Sequence, residues 1–318
     1  MTLSIIGRRF LQFVPVVLGV TFITFLLLNL LPGDTAEAIL GTNANPVSIA
    51  LLRKQLGLNQ PLLVRYWHWL EHALTGNLGS SLITQQQVGT VLSQRVPVTL
   101  ELLILAFLIA LVLAIPVAVL AARKPKGIID RLGATTAMFG LAIPNFVLGL
   151  VLILLFAQHF HFFPATGYSA LGSGLGPNLR SLFLPALTIS FALFAAYSRM
   201  LRADMMQQLA QEEYVITARA KGVSEPRILI RHVFRNSLFS LITIVGVNFG
   251  TLIGATVIVE SIFALPGIGS LLVSSVYNRD VTVTQGVVVI LAVVTVTVNL
   301  ITDLLYLVLD PRVRYGTV

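Results

Sequence analysis

The chain contains no cysteine, and only 11% of its 318 residues are charged, with 13 Asp and Glu against 21 Lys and Arg. Without cysteine there are no disulfides, no thiolate catalysis and no cysteine metal sites. Soluble domains carry roughly 25% charged residues, so the shortage of charge argues against a water-soluble fold. Catalytic signatures are missing too. There is no Gly-x-Ser-x-Gly elbow, no Gly-x-Gly-x-x-Gly opening a helix after a strand, and no Gly-rich run followed by Lys-Ser or Lys-Thr, so the chain has no P-loop of its own for ATP. The formal net charge of +8 would suggest nucleic acid in a soluble chain. Here the basic residues must first be placed relative to a bilayer.

What the chain does have is apolar sequence in long runs, with a mean hydropathy of +0.89. About 30 Å of hydrocarbon needs about 20 residues of helix. Six runs qualify: Phe10 to Leu31, Val98 to Ala122, Leu132 to Phe156, Leu182 to Leu201, Leu238 to Ile262 and Val283 to Leu309. They predict an all-α integral membrane protein with six transmembrane helices. The first run is too long for a signal h-region and ends in Leu30-Leu31-Pro32-Gly33-Asp34 without a small-residue cleavage site, so it is expected to stay as the first span. All Lys and Arg except Arg53, Lys54, Arg65, Arg95, Arg180 and Arg279 fall in the N-terminus, the 123–131 loop, the 199–235 loop or the C-terminus. The positive-inside rule then places both termini in the cytoplasm, as an even number of spans requires.

The chain divides as the N-terminus and first span (1–31), a polar segment (32–97) expected to form a small helical extracytoplasmic subdomain, and a five-helix core (98–318). Within the subdomain, Asn45 before Pro46 predicts an N-cap, Gly57 a helix end, and Pro61 a second helix stopping near Gly76. His68-Trp69-Leu70-Glu71-His72 matches the His-x-x-Glu-His pattern of a zinc peptidase class. It lacks a third ligand and a cleft, so it is taken as an amphipathic helix with Tyr66, Trp67 and Trp69 at the membrane interface, and no metal is expected. The run Gly172-Ser173-Gly174-Leu175-Gly176 is expected to be a flexible external connector without a following helix.

Ionisable and polar residues inside the apolar runs are scarce, and such residues are often functional. Asp303, with Asn299 one turn away, fits a pairing to a neighbouring helix or a role in transport. Glu101 and Glu260, near external ends, fit interfacial residues reaching water or an arginine. Pro144 in Ala142-Ile143-Pro144-Asn145 frees carbonyls in midspan. Gly246, Gly250 and Gly254 at intervals of four line a groove for close helix approach or a pore. The candidate translocation path or gate is therefore Pro144, Asn145, Asn248, Glu260, Asn299 and Asp303.

Between two apolar runs lies the charged amphipathic segment Glu212 to Asn236, within a loop spanning 202–237. Tyr214 to Gly222 reads as one helix lying flat, closed by glycine as a C-terminal cap. Such a helix suits docking into a partner's groove, with Val215, Ala218 and Ala220 as apolar contacts flanked by basic residues, or a place on anionic lipid.

That segment resembles the coupling loop of bacterial ABC-importer permeases of the dipeptide, oligopeptide and nickel family, specifically the first of the two permeases. The resemblance covers nearly the whole chain. It rests on Arg8-Arg9, Leu31-Pro32-Gly33-Asp34, Leu56 to Pro61, Gly76 to Ser81, Thr99-Leu100-Glu101, Ala142-Ile143-Pro144, Thr217 to Gly222, Arg231 to Asn236, Glu260 to Gly269 and Asp310-Pro311-Arg312. The general importer pattern Glu-Ala-Ala-x-x-x-Gly aligns on Ile216-Thr217-Ala218 and Gly222, so its acid is absent here, as in peptide-type permeases.

The resemblance implies a type I ABC-importer transmembrane fold in the bacterial plasma (inner) membrane, and half of a translocation path for small peptides. A second homologous permease, two cytoplasmic ABC ATPases and an extracytoplasmic binding protein would be the partners, alongside peptide substrate and membrane lipid, with no nucleic acid. The ATPase-coupling residues would be Glu213, Tyr214, Thr217, Ala218, Arg219, Ala220, Lys221 and Gly222. No catalytic residue or cofactor would belong to this chain, since ATP and Mg would sit in the ATPases. Nickel chelates or glutathione remain alternative solutes. An ion-coupled secondary transporter using Asp303 and an intramembrane hydrolase are the readings from other classes.

Overall fold

The computed structural model describes the backbone of residues 2–30, 35–41 and 45–309, with side chains for 14–30, 36, 37, 39–41, 45–246, 248 and 252–302. Leu31 to Asp34, Asp310 to Arg312 and the side chains of Arg8, Arg9, Gly250 and Asp303 lie outside the described residues. In chain order the helices are α1 (Thr2–Leu30), α2 (Thr35–Leu40), α3 (Pro46–Gln55), α4 (Leu62–Leu74), α5 (Val88–Arg123), α6 (Ile128–Ala142) and α7 (Asn145–Leu152). They continue as α8 (Leu175–Gln211), α9 (Glu213–Ala220), α10 (Glu225–Arg227), α11 (Arg235–Ile262), α12 (Ile268–Tyr277) and α13 (Val281–Leu309), with π-helical turns at Ile153–His159 and Ile228–Phe234. Among the described residues there is no strand, only an isolated bridge between Ser80 and Gln87.

Val88–Arg123, Leu175–Gln211, Glu225–Gly246 and Val281–Thr302 are long and apolar enough to cross a membrane, which makes the chain a multi-pass membrane protein. Ile128–Ala142 and Asn145–His159 make a fifth crossing if the pair is one span, but the chain turns by 107° between them. The run expected over 132–156, with Pro144 disturbing it in midspan, is therefore a broken helix. Ile143 (ψ 122°) and Pro144 (ψ 139°) are both extended. Proline pushes the residue before it out of the helical region and cannot donate to the ladder, so two successive residues leave the helix together.

The chain forms two compact units, Met1–Thr99 with Pro266–Val296, and Leu100–Leu265 with Thr297–Val318. In the first, the Asn45 carboxamide accepts from Val47 N–H at 3.0 Å and so caps α3. Gly57 (φ +65°) ends α3, and Gly76 (φ +83°) follows α4, as the local signals require. Tyr66 departs from its expected interfacial place. It is buried, with its ring against Phe22 and Phe25 of α1 and its hydroxyl within 2.9 Å of the Thr21 hydroxyl. An aromatic ring with one polar tip suits an interface, but it suits a helix contact equally when a hydroxyl stands opposite. The Asp280 carboxylate accepts from Ser81 Oγ and from the N–H groups of Leu82 and Val283, fixing the 80s turn to the start of α13. Val88, Leu92, Ile268, Val283 and Val287 form the core of this unit.

In the second unit, small residues set the helix spacing. A Cβ at Gly140 would press on Ala195 and the Phe191 carbonyl of α8, and one at Gly246 would overlap Thr302 of α13. Gly254 faces open space, so the expected groove of three glycines reduces to one close approach among the described side chains. Helix α5 buries Ala106, Ala110, Ala114 and Ala118 in one stripe and exposes Ile104, Leu108 and Val112, an arrangement that puts small residues at contacts and branched ones outward. Gly174 (φ +110°) is the N-cap of α8, so the glycine run leads directly into a helix, contrary to expectation.

Candidate functional site

The best-defined polar construction joins the end of α8, α9 and the start of α11. Gln208 of α8 is its hub. The Gln208 Nε2 donates to Asp204 Oδ2 at 2.7 Å and to Ser237 Oγ at 3.0 Å. Its Oε1 accepts from the Tyr214 hydroxyl at 2.5 Å and from Asn236 Nδ2 at 3.3 Å. Both donors and both lone pairs of one amide are thus used. The Ser240 hydroxyl adds a contact to Asp204 Oδ1 at 3.2 Å. Burial, reinforced by the charges of Glu212 and Asp204, raises the Tyr214 pKa above its ordinary value, so it stays a neutral donor.

Helix α9 itself has only eight residues, too few to hold together alone in water. Val215 (0% exposed) and Ala218 (9%) are turned into the chain, where α9 packs on the π-helical turn carrying the buried Ile228, Leu229 and Val233. This corrects the expectation that Val215 and Ala218 offer apolar contacts to a partner. The outward face is Glu213, Ile216, Thr217 and Ala220, spaced as one helical stripe, with Ile216 58% exposed. Ile216 is the residue missed by the sequence reading; its signal was a large aliphatic side chain one position off the buried stripe. After Ala220, Gly222 N–H bonds the Arg219 carbonyl and Val223 N–H bonds the Ala218 carbonyl, with Gly222 at φ +76°. Arg219 donates to Glu225 through Nε at 2.7 Å and Nη2 at 3.2 Å, which holds the guanidinium pKa above its ordinary value. Lys221 is exposed at the C-cap.

A second tie holds α6 to α8, where the buried Asp130 is ion-paired with Arg202 and accepts the Lys126 N–H at 2.7 Å. Together these contacts tie α6, α9 and α11 to α8.

The residues expected along a path are spread over the start of α7, α11 and α13. Pro144 and Asn145 occupy the 107° turn. Asn248, half-buried, lies against Tyr197 of α8. Glu260 is 0% exposed and so does not reach water as expected. Asn299 is exposed on α13. Glu101, half-buried, is held by protein groups: its Oε2 accepts from the Tyr168 hydroxyl at 2.8 Å and from Asn178 at 2.9 Å. Burial, then the hydrogen bond to Glu101, pushes the Tyr168 pKa up to about 12. In the His68-x-x-Glu71-His72 motif, Glu71 accepts the Trp67 indole N–H at 2.7 Å and the His72 ring bonds the His68 carbonyl, leaving both groups engaged within their own helix.

Comparison with known proteins covers the whole of this architecture. Residues 114–315 match the family described as binding-protein-dependent transport system inner membrane component, and residues 2–103 match the corresponding N-terminal family. A Brucella melitensis protein, provisionally named a peptide transport system permease protein, is 40% identical over 99% of this chain and 100% of its own. A Sinorhizobium fredii protein, provisionally named a peptide ABC transporter permease protein, is 38% identical over 97% of this chain and 98% of its own. The glutathione transport system permease protein of Salmonella typhimurium is 36% identical over 98% of this chain and 99% of its own.

Proposed function

The chain belongs to the family of binding-protein-dependent transport system inner membrane components, and from that premise we propose that it is a permease subunit of an ATP-driven importer of small peptides. The observation that carries this reading is α9, a short helix with an outward stripe, braced from behind by Gln208 and closed by Gly222. Such a part transmits force. A helix that only rested on lipid would not need the Tyr214–Gln208 bond that ties it to α8 and, through Gln208, to α11.

In this reading α1 is the sixth span and both termini are cytoplasmic. Residues 32–97 form the external subdomain, which receives a binding protein or gates the outer mouth. A sister permease completes the path, and two ATPases grip the coupling loops of the pair, in this chain the loop 202–237 through Glu213, Ile216, Thr217, Ala220 and the basic residues around Gly222. ATP and Mg belong to the ATPases, and this chain breaks no bond. Closure of the ATPases pushes α9, and the braced block of α8 and α11 carries the displacement to the path, which opens alternately to either side. The peptide substrate is drawn from relatives named for peptide and glutathione transport, glutathione being itself a tripeptide.

The test is to tag the chain, extract it gently from its native membrane and identify by mass spectrometry the proteins recovered in stoichiometric amounts. A second permease and two P-loop ATPases are expected. Recovery of this chain alone, under conditions that preserve other membrane complexes, overturns the importer reading in favour of an ion-coupled carrier.

A further inference from the structure

A cavity of about 360 Å³ lies in the first unit, beneath α4 and beside the start of α13. Its wall combines Arg65, Trp69 and Gln285 with the apolar Phe25, Leu58 and Val281. Two of the polar groups have no partner among the described residues. The Trp69 indole N–H and the Gln285 side-chain N–H are both shielded from solvent and have no hydrogen-bond partner among the described residues. Gln285 is only 3% exposed. Nearly all buried donors in native proteins find an acceptor, and leaving one without costs about 1–3 kcal/mol. Two orphans in one wall mean that an acceptor is missing. Arg65 adds a cation whose guanidinium lies over the Phe25 ring and has no carboxylate partner among the described residues.

We propose that this cavity is a binding site for a carboxylate carried on a small apolar body. Arg65, Trp69 and Gln285 together offer N–H donors, a demand that a carboxylate meets with two oxygens and about four lone pairs. The amide of Gln285 turns about a broad torsion and can present its N–H to a guest in the cavity it lines. Phe25, Leu58 and Val281 would cover the apolar part. Burial lowers the Arg65 pKa from its ordinary value, as for a cation waiting for its counter-charge. The carboxylate could be the C-terminus of a peptide, which deepens the proposed function and rests on it, or that of a fatty acid from the membrane.

The chain has two tryptophans, so Trp67→Phe leaves Trp69 as the sole tryptophan, excited selectively beyond the tyrosine absorption band, in the full-length protein held in neutral detergent. It is titrated with alanyl-phenylalanine, with the C-terminal amide of that dipeptide, and with octanoate. A saturable change with either free acid and none with the amide is expected, about tenfold weaker in Gln285→Leu and abolished by like charge in Gln285→Glu. Response to the dipeptide assigns the site to peptide; response to octanoate alone keeps the carboxylate site and assigns it to lipid. Equal response to acid and amide, no saturable response to any probe, or variants that bind like the parent would overturn the proposal. Dipeptide uptake by the intact transporter is measured separately. Uptake without a fluorescence response removes this site and spares the transport reading; a fluorescence response without uptake does the reverse.

Discussion

Two short amphipathic helices, α4 in one unit and α9 in the other, are built from the same local parts and finished differently. Each is followed within two residues of its last turn by a glycine at positive φ, Gly76 and Gly222. Behind α9, every hydrogen-bonding position of Gln208 is filled, one by Asp204 of its own helix and three by α9 and α11. Around α4, the Trp69 and Gln285 donors are left over beside a cavity. A saturated polar network resists deformation, because moving any member unpairs others at low dielectric. Unsatisfied donors favour whatever supplies acceptors. The difference separates a part suited to carrying force from one suited to taking a ligand.

The sharpest way to break this contrast is to strip α9 of its bracing. Gln208→Leu keeps the side-chain bulk but strands Asp204, Tyr214, Asn236 and Ser237, and it should cost about 3–5 kcal/mol of stability and abolish ATP-driven uptake. Thermal unfolding of the purified chain and uptake in vesicles check both. Retention of uptake would mean that α9 transmits nothing through α8.

Gly222 comes next. A side chain there meets open space but must adopt φ +76°, so the cost is conformational, about 1–3 kcal/mol for a β-branched residue. Gly222→Val should uncouple ATP hydrolysis from uptake while leaving membrane insertion intact. Gly222→Asn, which tolerates that region better, should keep most of the coupling. Equal losses in the two variants would trace the effect to contact with a partner instead of to the turn.

Much of this was legible in sequence where the signal is local. Asn45-Pro46, Gly57, Pro61 and Gly76 placed α3 and α4 because caps and breakers act over a few residues. The brace behind α9 was not legible, since Gln208 meets Asn236 and Ser237 at separations of 28 and 29 residues, and no spacing rule links side chains across a fold. Periodicity put Val215 and Ala218 on one stripe without saying which side faced inward. Pro144 signalled a disturbance in a span, but a kink and a 107° turn start from the same residue. What decided between them was that Ile143 joined Pro144 in extended conformation.

Ile216 sharpens the contrast from the outside of α9. It is exposed and buries little within the chain, so Ile216→Ala should change stability by no more than about 0.5 kcal/mol. If α9 docks through this stripe, the same variant lowers ATPase co-purification and uptake severalfold, since a lone aliphatic side chain on a docking face gains its worth only when a partner covers it. Unchanged recovery of the ATPases would move docking to Lys221 and its basic neighbours.

The smallest expected effect tests whether α4 is held as firmly as α9. Tyr66→Phe leaves the ring against Phe22 and Phe25 and removes only the hydroxyl, which sits 2.9 Å from Thr21 Oγ1 and donates to the Leu18 carbonyl at 3.2 Å. Thr21 keeps the Val17 carbonyl at 2.8 Å as its own acceptor, so no donor is stranded and the loss should be about 1 kcal/mol, read as a small drop in Tm. A loss near that of Gln208→Leu would mean that α4 is braced through α1 as tightly as α9 is through α8. The contrast between the two helices would then lie in their unpaired donors alone, and not in how rigidly each is anchored.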